Sequence, residues 1–244
     1  MKNIKLVIEY DGTNYLGWQK QKNGITVQSA VEEAIHKLTK EAVEVIGCSR
    51  TDSGVHAEGY VCNFKTNSKV PTEKFKEALN FHLPEDIAVL QCEEVGVNFH
   101  ARYDSKGKMY CYTILNTNSR RPLARNYSYH YKGALDYNAM MEAAKYFEGT
   151  HDFAAFRNVG SSVKTSERTI SLIKVERDGE FIKVYVAADG FLYNMARIIV
   201  GTLIEVGNGK KNPKDINSII ESKDRTKAGK TSPPQGLSLL EVYY

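Results

Sequence analysis

One carboxylate in this chain sits in company that could make it reactive. Asp52 lies within GCSRTDSGVHAEG (Gly47–Gly59), two residues after Arg50 and two before Gly54. Asp, Ser and Gly are turn-forming residues, so the stretch by itself reads as a tight turn. A loop carboxylate beside an arginine also stays ionised at neutral pH. A free aspartate titrates near ~3.9, and a neighbouring cation favours the charged form. Such a group serves as a nucleophile or an ion anchor, not as a general acid. No second carboxylate clusters beside it, which argues against two-metal phosphoryl chemistry.

Arg197 is the second candidate. It interrupts FLYNMARIIVGTLIEVG (Phe191–Gly207), the one strongly apolar run, where an unpaired guanidinium would be strongly destabilising. It needs a carboxylate or an anionic ligand. Glu205 or Asp189 would make a structural pair; the sharper expectation pairs Arg197 with Asp52 across two lobes. A third element is KGKMYCYTI (Lys106–Ile114), where Tyr110 and Tyr112 share a strand face with Lys108. Strand tyrosines ordinarily pack, but aromatic rings interleaved with lysines also suit base stacking beside phosphates. Arg120, Arg121 and Arg125 are locally dense, as a solvated loop or as phosphate contacts.

Other chemistries fail on spacing. Ala228-Gly229-Lys230-Thr231 imitates a P-loop, but the required earlier glycine is Asp224 and no strand precedes it. Gly207-Asn208-Gly209 follows a helix and reads as its C-cap. The six histidines form no HExxH, and there is no GxSxG elbow. Cys48, Cys62, Cys92 and Cys111 contain no CxxC pair, so a zinc cluster is not expected. With no signal peptide expected at the N-terminus, the reading is a reduced, cytoplasmic protein.

These residues need elements to hold them. At 244 residues, with 42% hydrophobic and 25% charged content, the chain can bury a core without disulfides or metal. The net charge of +4 leans towards an anionic partner, provided that the positive residues gather on one face. Ile4, Leu6, Ile8 and Tyr10 alternate as in a half-buried strand. Val27, Val31, Ala34, Ile35 and Leu38 recur at helical spacing behind a Thr26 cap. Strands are expected near 43–48, 58–66 and 87–95, and a helix behind Pro71. Later strands are expected at 107–116, 127–132, 167–178 and 180–188, helices at 136–147, 191–206 and 213–222, and a closing strand at 237–243. The Phe191–Gly207 run, with its charges, is a buried core helix rather than a membrane span. The pattern predicts two related α+β lobes, 1–104 and 105–244, rather than a doubly wound parallel sheet.

At these residues the sequence resembles the tRNA pseudouridine synthase A family nearly end to end. The resemblance runs through YDGTNYLGWQKQ (10–21), TVQSAVEEA (26–34), SRTDSGVHA (49–57), FHARYDSKGKMYCY (99–112), HDFAAF (151–156), RTI (168–170), GFLYNMARIIVG (190–201) and PPQGLSL (233–239). It departs at Cys48-Ser49, Ser53, Lys108 and Ser232, where the family has alanines or, before Tyr110, an arginine. The resemblance implies two similar α+β lobes with mostly antiparallel sheets joined across a central catalytic cleft. It implies isomerisation of uridine to pseudouridine at positions 38–40 of the tRNA anticodon stem-loop, with no metal, nucleotide or redox cofactor. Asp52 is then the nucleophile, Tyr110 stacks on the flipped uracil, and Arg197 is the basic partner of the carboxylate. Arg50 props the vacated stack, and Lys108, Arg120 and Arg121 join the RNA-binding set. A cytoplasmic homodimer binding tRNA is the implied assembly. The rival expectations are a paralogue acting on ribosomal RNA and a non-catalytic RNA-binding or chaperone module.

Overall fold

Strict alternation from Ile4 to Ile8 buries one side of the first strand completely, and that side founds the first of two units. The computed structural model describes residues 1–158, 160 and 165–244. One unit comprises Met1–Lys106 with Ser238–Tyr244, the other Gly107–Leu237. The first runs β1 (Lys2–Tyr10), α1 (Val27–Thr39), β2 (Ile46–Gly47), β3 (His56–Thr66), α2 (Phe75–His82) and β4 (Ile87–Val95). β1 lies between β3 and β4, antiparallel to both, with Leu6 opposite Cys62 and Cys92. α1 starts where the cap demands: Thr26 accepts from the Ser29 amide, and the Ser29 hydroxyl closes the box. Its buried stripe is Val27, Val31, Ala34 and Ile35, and α2 packs beside it.

The second unit runs β5 (Gly107–Asn116), β6 (Tyr129–Tyr131), α3 (Tyr137–Lys145), β7 (Gly149–Asp152), β8 (Glu167–Asp178), β9 (Phe181–Ala188), α4 (Met195–Gly207) and α5 (Asp215–Ser222). β5, β9, β8 and β7 form an antiparallel sheet, and β6 adds a short parallel edge to β5. The β8–β9 hairpin turns at Gly179, whose φ of 57° a side chain would resist. α4 is the centre of this core: every residue from Met195 to Gly207 is buried except Arg197 and Glu205. At 13 residues it is a core helix, and no helix among the described residues is long and apolar enough to cross a membrane.

The class is α+β with mostly antiparallel pairing, as the pattern predicts. Several details differ, among them β7, which was not expected, and the following four. The closing strand, β10 (Leu237–Tyr243), was expected in the second lobe, but from Ser238 it groups with the first unit and runs parallel to β3 at His56 and Ala57. Gly59 permits that approach, since a Cβ there would lie 2.3 Å from the Leu240 carbonyl oxygen. The strand expected at 43–48 shrinks to Ile46–Gly47 because α1 side chains take the Val45 backbone: Glu32 accepts from its amide and Gln28 donates to its carbonyl. Tyr127 turns back to Ala124 before β6, which shortens the strand expected at 127–132. α4 begins at Met195, not 191, because Asn194 is left-handed (φ 62°) and cannot continue a right-handed helix.

Gly229, in the fragment that imitates a P-loop, serves packing: its amide donates to Thr202 Oγ1 (2.9 Å) on α4. Its partner in that contact, Gly201, would place a Cβ 1.7 Å from the Lys230 carbonyl oxygen. Glycine to alanine in an ordinary helix interior is stabilising by about 1 kcal/mol. Here overpacking reverses the sign, at a cost of about 1–3 kcal/mol. Gly201→Ala is expected to lower the thermal midpoint followed by far-UV circular dichroism; a raised midpoint would contradict the contact.

Candidate active site

The candidate residues fall into one cluster in each unit. In the first, the chain leaves the β2–β3 ladder after the Cys48 amide donates to Val61 (2.9 Å). The buried Tyr60 hydroxyl then donates to the Ser49 carbonyl, and Tyr10 and Thr51 hydroxyls meet at 2.8 Å. Asp52 opens a turn closed by the Val55 amide on the Asp52 carbonyl (3.2 Å), with Gly54 at φ 76°. A positive φ at this third position is the geometry of a type II turn. Asp52 is half-buried, and Arg50 is exposed.

A second segment underlies this turn. The Trp18 amide donates to the Thr51 carbonyl (3.2 Å), and Ser53 Oγ donates to the Tyr15 carbonyl (3.1 Å). Two glycines make that contact possible. A Cβ on Gly17 (φ 86°) would lie 2.4 Å from Thr51 O, and one on Gly12 would lie 2.0 Å from Val55 O. Trp18 stacks on Tyr60 at 4.1 Å, and both meet the face of Gly47, where a Cβ has no room. The Gly12 amide lies 3.0 Å from His56 Nδ1 and donates to it. Asp11 Oδ1 lies 3.1 Å from the same nitrogen and accepts from the Thr13 amide and hydroxyl. Tyr15 is tied to Asp86 by its hydroxyl, and burial followed by that bond pushes the phenol up. Asp52 thus sits on a turn and on a cradle, built from YDGTNYLGW.

In the second unit, Tyr110 and Lys108 lie on one face of β5, both buried, opposite Val186 and Ala188 of β9. Phe191 meets Tyr110 edge-on at 4.8 Å. Three residues later the left-handed Asn194 aims its amide oxygen at Arg197 Nη1 (2.9 Å), while Arg197 Nε donates to the Ser232 carbonyl (2.8 Å). Ser232 returns its own amide to the Arg197 carbonyl (3.1 Å). These contacts fix the direction of the guanidinium. The other acids considered for it have partners: Glu205 faces Lys211 and the Lys230 amide, and Asp189 accepts from Thr169. Tyr112 donates to Pro233 O (2.7 Å); burial pushes this phenol up, against the opposing charge of Arg197, so it stays a donor. One segment, 232–233, therefore supports both Arg197 and Tyr112.

Arg121 forms a forked ion pair with Glu180 (2.8–3.0 Å), and Arg120 lies beside it, five residues beyond Leu115 of the same strand that carries Tyr110. Among the described residues no three His, Cys, Asp or Glu side chains converge as metal ligands would. Sequence reasoning missed the cradle partners Trp18 and Tyr60, and the Phe191 and Asn194 supports. Asn194 alone left a signal, since asparagine tolerates a left-handed backbone.

A family model described as tRNA pseudouridine synthase matches residues 6–104 and 143–244. The chain is 60% identical over 244 residues to the tRNA pseudouridine synthase A 2 of Clostridium perfringens, with all of both chains covered. It is 56% identical to the tRNA pseudouridine synthase A of Clostridium acetobutylicum and to that of Acetivibrio thermocellus, again over the whole of both chains.

The single tryptophan, Trp18, reports on the cradle directly. Gly17→Ala is expected to red-shift Trp18 emission in buffer and to lower the urea midpoint, with a cost of about 1–3 kcal/mol from backbone strain and overlap. Emission and midpoint both equal to wild type would contradict the close approach.

Proposed function

The chain belongs to the tRNA pseudouridine synthase family, and from that premise we propose that it isomerises uridine to pseudouridine in tRNA. The sites are positions 38–40 of the anticodon stem-loop, and Asp52 is the nucleophile. The N1–C1′ bond breaks, the uracil turns, and C5 joins C1′. The C5 proton leaves to solvent and N1 gains one, so the product is an isomer of the substrate. A base in a stacked stem cannot present these atoms, so the nucleotide is flipped out first.

The observation that carries the reading is the cradle. It supports a carboxylate presented from a turn whose backbone is fixed on both sides, as a reaction at a flipped base requires. The names of the full-length relatives favour tRNA over ribosomal RNA. Tyr110, steadied by Phe191, stacks on the uracil and assists the proton loss at C5. Arg197 lies against Asp52 and holds its charge. Arg50 props the vacated stack, and Lys108, Arg120 and Arg121 contact phosphates. A basic cleft between the lobes of a homodimer, acting in the cytoplasm, completes the proposal. Binding then weakens with salt as counterions are released.

Tritium release from tRNA carrying 5-tritiated uridine tests this. Asp52→Asn and Asp52→Ala are expected to lower release at least about ten-thousandfold while tRNA still binds, as for loss of a nucleophile. Release only from ribosomal RNA would overturn the substrate, and binding without release by the wild type would overturn the activity. Arg197→Met is expected to cost about a hundredfold in kcat with a smaller change in KM, the signature of a group acting on developing charge. A rise in KM alone would contradict that role.

A further inference from the structure

The second unit contains a cavity of about 530 Å³ that neither Tyr110 nor Arg197 lines. Arg120, Arg121, Arg125 and His130 stand around it, over an apolar floor of Leu115 and Pro122, and no acidic side chain lines it. Gln235 closes one side. Three guanidinium groups around one recess repel each other unless an anion enters, and their planar forks suit phosphate oxygens.

The present partners leave that role open. Arg120 makes no hydrogen bond or ion pair among the described residues, and Arg125 Nη1 reaches only its neighbour's carbonyl, Pro122 O (3.1 Å). His130 Nε2 donates to Thr117 O (2.8 Å), which orients the ring. Arg121 is held by Glu180 from the β8–β9 turn, with both side chains about half exposed. Exposed pairs of this kind are weak and exchange readily for another anion.

We propose that this cavity binds a phosphodiester of the RNA away from the reacting uridine, and that Glu180 is a counter-ion which the phosphate displaces from Arg121. The proposal rests on the RNA reading given above and adds Arg125, His130 and Glu180 to it. Leu115 lies five residues along β5 from Tyr110, about 17 Å at 3.4 Å per residue. A phosphate seated here therefore does not flank a base stacked on Tyr110. Such contacts set register rather than read sequence. The register has a physical carrier: Gln235 lies two residues beyond Pro233, in the segment whose Ser232 and Pro233 carbonyls hold Arg197 and Tyr112.

Binding of fluorescent tRNA, followed by anisotropy between about 0.05 and 0.3 M salt, tests this. The double variant Arg120→Ala/Arg125→Ala is expected to flatten the slope of log K against log salt by about one unit, with roughly tenfold weaker binding at low salt. Glu180→Gln is expected to do the opposite, tightening binding about threefold by releasing Arg121. Weaker binding with an unchanged slope, or no change in either variant, would overturn the proposal. So would equal weakening in Glu180→Gln. Tritium release by the wild type separates the two readings: slopes as expected without release would retain the phosphate site and remove the activity. Release with unaltered slopes would do the reverse.

Discussion

Two backbone segments approach no closer than their side chains allow, and the Asp52 turn lies where it does because Gly12 and Gly17 have none. A Cβ at either position would fall within 2.4 Å of a carbonyl oxygen of the loop. The same approach lets the Trp18 amide and the Tyr15 carbonyl satisfy loop groups that would otherwise face the interior. Around this contact the rest of the first unit is arranged as support. β1 delivers Gly12 and Tyr10 from a strand paired on both sides, and β3 delivers Tyr60 and His56. The loop is thus set on a sheet with no slack between them.

The second unit holds its candidates by a different device. α4 is buried nearly all round, so it behaves as a post, and Arg197 projects at one of the two places where the helix is not enclosed. The left-handed Asn194 ends the helix abruptly at its N-terminal side. That stop lets Phe191 reach Tyr110 while Asn194 itself holds the guanidinium. Opposite, Gly201 and Gly229 bring the 229–232 segment against the helix, and Ser232 completes the hold. The Ser232 carbonyl and the Asn194 side-chain oxygen orient the guanidinium.

The elements legible in the sequence were those whose signal is local. β4 and β5 have the bounds that their patterns predict, and α1 starts at the threonine that caps it. Elements whose existence depends on a distant partner were not legible. β7 carries no hydrophobic alternation and forms only because β8 offers an edge. β10 reads as a strand, but nothing in its residues names β3 as its neighbour. The site divides in the same way. Asp52, Tyr110 and Arg197 stand out as candidates by residue type and motif. The cradle was not, because Gly17 and Thr51 are 34 positions apart, and a glycine kept for close approach resembles one kept for a turn.

If the cradle is what makes Asp52 effective, loosening it should damage chemistry before it damages binding. The direct measurement is single-turnover tritium release by Gly12→Ala at saturating enzyme, at a temperature where its circular dichroism matches wild type. The cradle account predicts a rate lowered at least about tenfold, as a small misplacement of a reacting group costs, with tRNA affinity unchanged. A wild-type rate in the folded variant would contradict it.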